Sequence, residues 1–217
     1  MQKISRRRFL EDSVSLLAMG TAPAIVAASP VVRRRVGAAD KLRIAVIGFN
    51  GRGMNHIESY VKMDDVEIVA LCDADTAMFD KALRVIEKAG KPKPKTYQDV
   101  RKVVEAKDID AVSIATPNHW HALGAIWALQ NGKDVYVEKP VSHNVSEGRR
   151  IVDFARKYNR ICQCGTQSRA SKGLQNAMAY LHSGQLGHIS VARGLCYKRR
   201  KSIGKVASAT NVPSTVD

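Results

Sequence analysis

The chain is poor in the residues that would make several classes of protein. Aromatic residues are 6% of the sequence. The net charge of +15 therefore comes without the stacking side chains that usually accompany basic patches on nucleic acid, and no nucleic-acid partner is expected. Cysteine is scarce. Cys72, Cys162, Cys164 and Cys196 form no framework, and Cys162 and Cys164 lack the two-residue spacer of redox and zinc motifs. Buried free thiols are the expectation. Long apolar runs are absent as well: the one over 14–28 is short and is interrupted by Gly20 and Pro23, which argues against a membrane span. There is no internal repeat and no low-complexity tract.

The basic residues cluster in two places. One is the start of the chain, where Ser5-Arg6-Arg7-Arg8-Phe9-Leu10 is similar to the twin-arginine export signal S-R-R-x-F-L. The apolar run follows, and then the small residues Ala27 and Ala28, in the order of a signal peptide. Residues 1–30 are thus expected to be an export signal and 31–40 a linker, with the protein periplasmic or otherwise exported and the twin-arginine machinery as a partner. Glu11-Asp12 and Arg33-Arg34-Arg35 leave open where the signal is cleaved, and whether it stays as an anchor. The second basic cluster, Lys198 to Lys205, lies in a loop-like stretch.

Between them the hydrophobic pattern alternates between short β-branched runs and helical spacings. Strands are predicted over 42–47, 67–72, 110–116, 134–138 and 161–164. Helices are predicted from the glycine-rich turn at 48–53 to about 63, and over 76–89, 98–106, 118–130 and 146–158. Asp75 and Asn118 are read as helix caps. Strands separated by helices imply an α/β fold with a doubly wound parallel sheet, here over 41–165. A helix over 172–182 and a strand over 188–197 are predicted beyond it.

The motif that carries chemistry is Gly48-Phe49-Asn50-Gly51-Arg52-Gly53, between the first strand and the first helix. In the dinucleotide-binding fingerprint G-x-G-x-x-G the glycines allow a tight turn, close approach of a pyrophosphate, and helix–strand packing; the helix start then faces the phosphates. Here Asn50 replaces the second glycine, and Gly51 is placed to take over the close approach. Asp73 ends the second strand about 20 residues beyond Gly53, where a carboxylate can bind both hydroxyls of an adenosine ribose. It would repel a 2′-phosphate, so NAD is favoured over NADP. The alternative for the glycines alone is a structural turn.

Two further motifs, Thr116-Pro117-Asn118-His119-Trp120-His121 and Glu138-Lys139-Pro140, follow the strands over 110–116 and 134–138. With the glycine turn they resemble the glucose-fructose oxidoreductase/inositol dehydrogenase/rhizopine-catabolism (Gfo/Idh/MocA) family, from Lys41 onward. The resemblance implies that Thr116, Pro117, Asn118 and His121 line the cofactor cleft and that Glu138 lies near the nicotinamide ribose. It also implies that Lys139 points at the substrate oxygen, where a fixed ammonium stabilises developing negative charge. Lys139 is thus the candidate catalytic residue; in isolation it would read as a solvated lysine. His119 and His121 alone do not make a metal site, and none is expected.

The family carries a second, mostly antiparallel substrate domain, of which 166–217 would be the crossover and a truncated start. The expectation is an NAD-dependent oxidoreductase of a sugar, polyol or related hydroxy compound, represented by its cofactor half and oligomeric in full-length form. Two alternatives stay open: an NAD-dependent glycoside hydrolase of the same family, and a nucleotide-binding fragment without activity.

Overall fold

The computed structural model describes residues 41–197, 199, 201–202, 204–205, 208 and 211–217. The expected signal and linker, 1–40, lie outside the described residues. Six parallel strands form one sheet: β1 (Leu42–Ile47), β2 (Val66–Cys72), β3 (Lys95–Tyr97), β4 (Ala111–Ile114), β5 (Asp134–Glu138) and β6 (Cys162–Gly165), in the spatial order β3-β2-β1-β4-β5-β6. Helices cover both faces: α1 (Arg52–Tyr60), α2 (Phe79–Lys88), α3 (Val100–Glu105), α4 (His121–Gln130) and α5 (Val145–Lys157), followed beyond the sheet by α6 (Lys172–His182). This is the doubly wound Rossmann arrangement. The strand order reverses between β1 and β4, where ligands of open α/β sheets bind.

Side chains alternate along each strand, so the sheet feeds two cores. Ala45, Ile47, Val112, Ile114, Val135 and Val137 pack under α4 and α5. Val46, Ile68 and Leu71 meet Met54 and Ile57 of α1 and Phe79 and Ile86 of α2 on the other face. Each fully buried aliphatic side chain contributes roughly 1.5–3 kcal/mol. A helix as short as α3 is marginal alone, so docking on the sheet rather than propensity keeps it folded. At the edge away from the loops described next, the buried Lys133 donates to the carbonyls of Ala106 (2.6 Å) and Ile109 (2.9 Å), tying β5 to the turn before β4. Burial lowers its pKa.

Several expectations change. β3 was not predicted: Lys-Thr-Tyr is short and largely exposed, and it pairs with β2 only as an edge strand. The helix expected over 118–130 opens as a 3₁₀ turn, Asn118–Trp120, and Asn118 makes no side-chain cap; Pro117 stands before it with its fixed φ. Asp75 does cap, accepting from the Ala77 amide at 2.9 Å. The strand expected over 188–197 is absent. Those residues are exposed and have no regular structure, because no described strand lies alongside to complete the hydrogen bonds. Cys196 is therefore exposed, not buried. No helix among the described residues is long and apolar enough to cross a membrane.

Candidate functional site

At the carboxyl ends of β1, β2, β3 and β4 the loops part around a cleft of about 780 Å³. Its floor is the turn after β1. Gly48 has φ +77°, and a Cβ there would lie 2.7 Å from the Thr116 amide nitrogen, so only glycine lets the β1 and β4 loops come together. A Cβ on Gly53 would fall on the Gly48 carbonyl, which fixes α1 close against the turn. Gly51, by contrast, faces open space within 4 Å. It is also the N-cap of α1, with no side-chain cap and no acidic residue in the first turn. The helix start is thus left with orphan amides and the positive end of its dipole facing the cleft.

Asp73 closes the turn from the β2 side. Its Oδ2 accepts from the Phe49 amide at 3.0 Å and its Oδ1 from the Asp75 amide at 3.1 Å. Each oxygen keeps a lone pair for a ligand. Across the cleft, Thr116 Oγ1 is the one buried side-chain polar atom without a hydrogen-bond partner among the described residues. A buried hydroxyl left unpaired costs about 1–3 kcal/mol, and a ligand in the cleft would remove that cost. Open amides, an unpaired hydroxyl, a glycine without side chain and a carboxylate at the second strand together fit a dinucleotide.

The predicted site residues separate into two groups. Gly48, Asn50, Gly51, Arg52, Asp73, Thr116 and Pro117 line the cleft. Phe49 does not: its ring is 1% exposed and packs edge-on against Phe79 at 5.5 Å, so it offers only its amide, to Asp73. Asn118 is exposed outside the cleft lining. His121 is buried, with Nδ1 2.6 Å from the Pro140 carbonyl and Nε2 2.8 Å from the Thr116 carbonyl. It therefore joins two loops instead of lining the cleft. Glu138 is buried too, and its carboxylate is held by Arg52, His56 and the Lys139 amide. Burial pushes that carboxyl up, the three hydrogen bonds outweigh it, and the net direction of its pKa is down. Lys139 is exposed, and its ammonium makes no hydrogen bond among the described residues.

Other residues line the cleft beyond the predicted cofactor-binding set. Trp120 and Trp127, ring centroids 6.3 Å apart, stand on either side of Gly124 along α4. Their spacing of seven puts them on one helix face, a signal the sequence did contain. Gln98 and Asp99 enter from the loop after β3 and Arg101 from the first turn of α3, where it forks onto Asp99. Val216 and Asp217 reach the cleft because the 213–217 segment pairs with the loop after β2: the Thr76 amide donates to Thr215 (2.8 Å) and the Asp217 amide to Ala74 (3.1 Å). No local pattern announces either contact. Cys72 also lines the cleft, but burial, followed by the Asp73 and Asp99 charges, pushes its thiol up to about 12. It stays a thiol and is no nucleophile. Gln167, with its side-chain amide turned over, accepts from Arg52 Nη2 at 3.1 Å. Among the described residues no group of three or more His, Cys, Asp or Glu could hold a metal.

Comparison with known proteins agrees with this geometry. Among solved structures, myo-inositol 2-dehydrogenase from Lactobacillus plantarum is similar at 27% identity and a TM-score of 0.62, over 69% of this chain and 43% of that one. Scyllo-inositol dehydrogenase from Lactobacillus casei, solved with bound cofactor NAD(H) and scyllo-inositol, shares the fold at 23% identity and a TM-score of 0.61, over 68% and 43%. A glycosyl hydrolase family 109 protein of Shewanella baltica (strain OS185) is 32% identical over 179 residues, 75% of this chain and 39% of the relative. The chain thus spans about two-fifths of the curated relative's length. The model of the oxidoreductase family with an NAD-binding Rossmann fold, Gfo/Idh/MocA, matches residues 42–166, and the chain belongs to that family.

Proposed function

We propose that the chain binds NAD in this cleft and forms the cofactor half of an oxidoreductase acting on a sugar, polyol or related hydroxy compound. The observation that carries the reading is the uncapped start of α1 beside Gly51, opposite the unpaired Thr116 hydroxyl. The amides at that helix start would hold the pyrophosphate, Thr116 would donate or accept at its edge, and Asp73 would take the adenosine ribose hydroxyls. Asp73, Asp75 and Asp217 line the cleft with no cation on them among the described residues, Arg101 being taken up by Asp99, and their charge would repel the 2′-phosphate of NADP, which favours NAD. When bound, the nicotinamide supplies the hydride acceptor or donor. Lys139 would hydrogen-bond the substrate oxygen and stabilise charge developing there. Its unpaired ammonium supports this role, as do the inositol dehydrogenases of the same fold.

Isothermal calorimetry tests the reading. The full chain is expected to bind NAD, and NADP more weakly. Gly51→Asp should lower NAD affinity at least tenfold (about 1.4 kcal/mol), because it places a carboxylate against the pyrophosphate. Its melting temperature should hold, since aspartate is a good N-cap. A folded wild type that ignores NAD would sink the proposal.

A second reading comes from the relatives named glycosyl hydrolase family 109. The same residues would serve an enzyme that oxidises a sugar transiently and reduces it again, with no net redox change. Product analysis of a longer form, for NADH release against free aglycone, separates the two. We also propose export by the twin-arginine route on the motif at Ser5–Leu10. Retention in the cytoplasm of a reporter fusion carrying Arg6→Lys and Arg7→Lys would support this; unaffected export would end it.

A further inference from the structure

Beneath the Lys139 turn lies a buried polar chain that the proposed function leaves unused. Glu138, 4% exposed, accepts at Oε1 from Arg52 Nε (3.0 Å) and lies 3.1 Å from His56 Nε2 there; at Oε2 it accepts from the Lys139 amide (3.2 Å). His56 sits on α1 one turn beyond Arg52 and is 6% exposed. Its Nδ1 lies 2.9 Å from Ser113 Oγ of β4, and Ser113 in turn accepts from the Tyr60 hydroxyl at 3.1 Å. Three elements, α1, β4 and β5, thus meet in one run of side chains.

The donor and acceptor inventory fixes the direction of that run. A carboxylate only accepts, so His56 Nε2 carries a proton and donates it to Glu138. Ser113 accepts a hydrogen bond from Tyr60 and has a hydroxyl proton of its own to donate, for which the bare Nδ1 of His56 is the acceptor. Tyr60 to Ser113 to His56 to Glu138 is then fully satisfied with a neutral imidazole, and Arg52 meets the carboxylate charge. Burial lowers the pKa of His56, the Glu138 hydrogen bond opposes that, and the Arg52 charge adds to it. The other groups facing the pair are Tyr136 of β5, whose ring stands 5.4 Å from that of His56, and Cys164 of β6, which senses the Glu138 charge.

We propose that His56 is a positioning residue for the Lys139 turn: through Glu138 it fixes the Lys139 amide and holds that turn in register with the start of α1. Its importance for catalysis rests on the reading that Lys139 faces the substrate. The coupling itself does not. A proton added at Nδ1 turns Ser113 from donor to acceptor toward His56 and sets a positive charge beside Glu138 and Arg52, so the hydrogen bonds that hold the turn depend on the charge of His56.

Backbone ¹H–¹⁵N spectra of the full chain test this, following the Lys139 amide from about pH 7.5 to about pH 5. In the wild type the resonance should titrate with a midpoint below the ordinary histidine value of 6.5. His56→Gln keeps a donor for Glu138 and an acceptor for Ser113, so its Lys139 resonance should stay at the wild-type neutral position and be flat across the range. His56→Leu removes both and should displace the resonance at every pH, together with that of Arg52. A Lys139 amide that titrates alike in wild type and His56→Gln overturns the proposal, as does one unmoved by His56→Leu. If His56→Leu does not fold, the Gln comparison decides alone. Calorimetry with NAD on the same samples reports on the cofactor reading separately.

Discussion

The turn at the floor of the cleft and the turn that carries Lys139 are held by different physics. The turn after β1 is held by backbone and by missing side chains: Gly48 against Thr116, Gly53 against the Gly48 carbonyl, and the Phe49 amide on Asp73. The turn after β5 is held by side chains that are mostly buried: Glu138 by His56 and the half-exposed Arg52, and the Pro140 carbonyl by His121. A loop that must present bare amides to an anion cannot also fill its space with side chains. A loop that must aim a single lysine can, and gains rigidity by doing so.

The comparison can be broken most severely at Gly48. Gly48→Val puts a β-branched residue at φ +77° and drives it into Thr116. The expected cost is about 4 kcal/mol, a Tm lower by roughly 8–16 °C by calorimetric scan. Glu138→Ala breaks the other loop. It leaves His56 buried without its acceptor, while the half-exposed Arg52 can turn to water, so about 3 kcal/mol is expected by urea denaturation. The two variants should also differ in kind: Gly48→Val closes the NAD cleft, whereas Glu138→Ala leaves the helix start open and should bind NAD within a fewfold of wild type. Equal loss of affinity in both would show that the loops are not independent.

The smallest effect sharpens the comparison through pH. The pKa of His56 is depressed in the fold, so below about 6.5 the unfolded chain binds a proton that the folded chain does not. Stability should fall as pH drops from 6.5 toward the folded value, with a slope no steeper than about 1.4 kcal/mol per pH unit, and should show no dependence on His56 above 6.5. Glu138, also depressed, adds its loss only below its ordinary value of 4.5, a separate window. Denaturation midpoints of wild type and His56→Gln across this range check the assignment: the wild-type curve should fall relative to the His56→Gln curve as pH drops below 6.5, and the two should run parallel above it.

Much of the sheet was legible because its strands are buried on both faces and read as apolar runs. β1 and β5 were predicted with the bounds the structure has, as was α6. β3 escaped because three half-polar residues on an edge carry no period. The strand expected over 188–197 had β-branched residues but nothing to pair with, and pairing, not propensity, makes a strand. The site followed the same division. Gly48, Gly51 and Asp73 line the cleft and Gly53 packs on the Gly48 carbonyl, positions set by the local backbone and by fixed distances along the chain. Glu138 also holds protein partners from α1, Arg52 and His56, which lie far from it in sequence, and His121 spans from Thr116 to Pro140.

The order of strands and helices, the glycine turn and the acid after the second strand were determined by the sequence itself, since each depends on local period or local backbone freedom. Tertiary structure alone decided that His56 lies under Lys139, that Thr116 keeps an unpaired hydroxyl, that Arg101 and the Thr215 segment flank the cleft, and that Glu138 faces inward. Those facts depend on which strands the sheet makes neighbours. β4 and β5 bring Ser113 and Glu138 against α1 only because the strand order reverses at β1, and no spacing along the chain encodes that reversal.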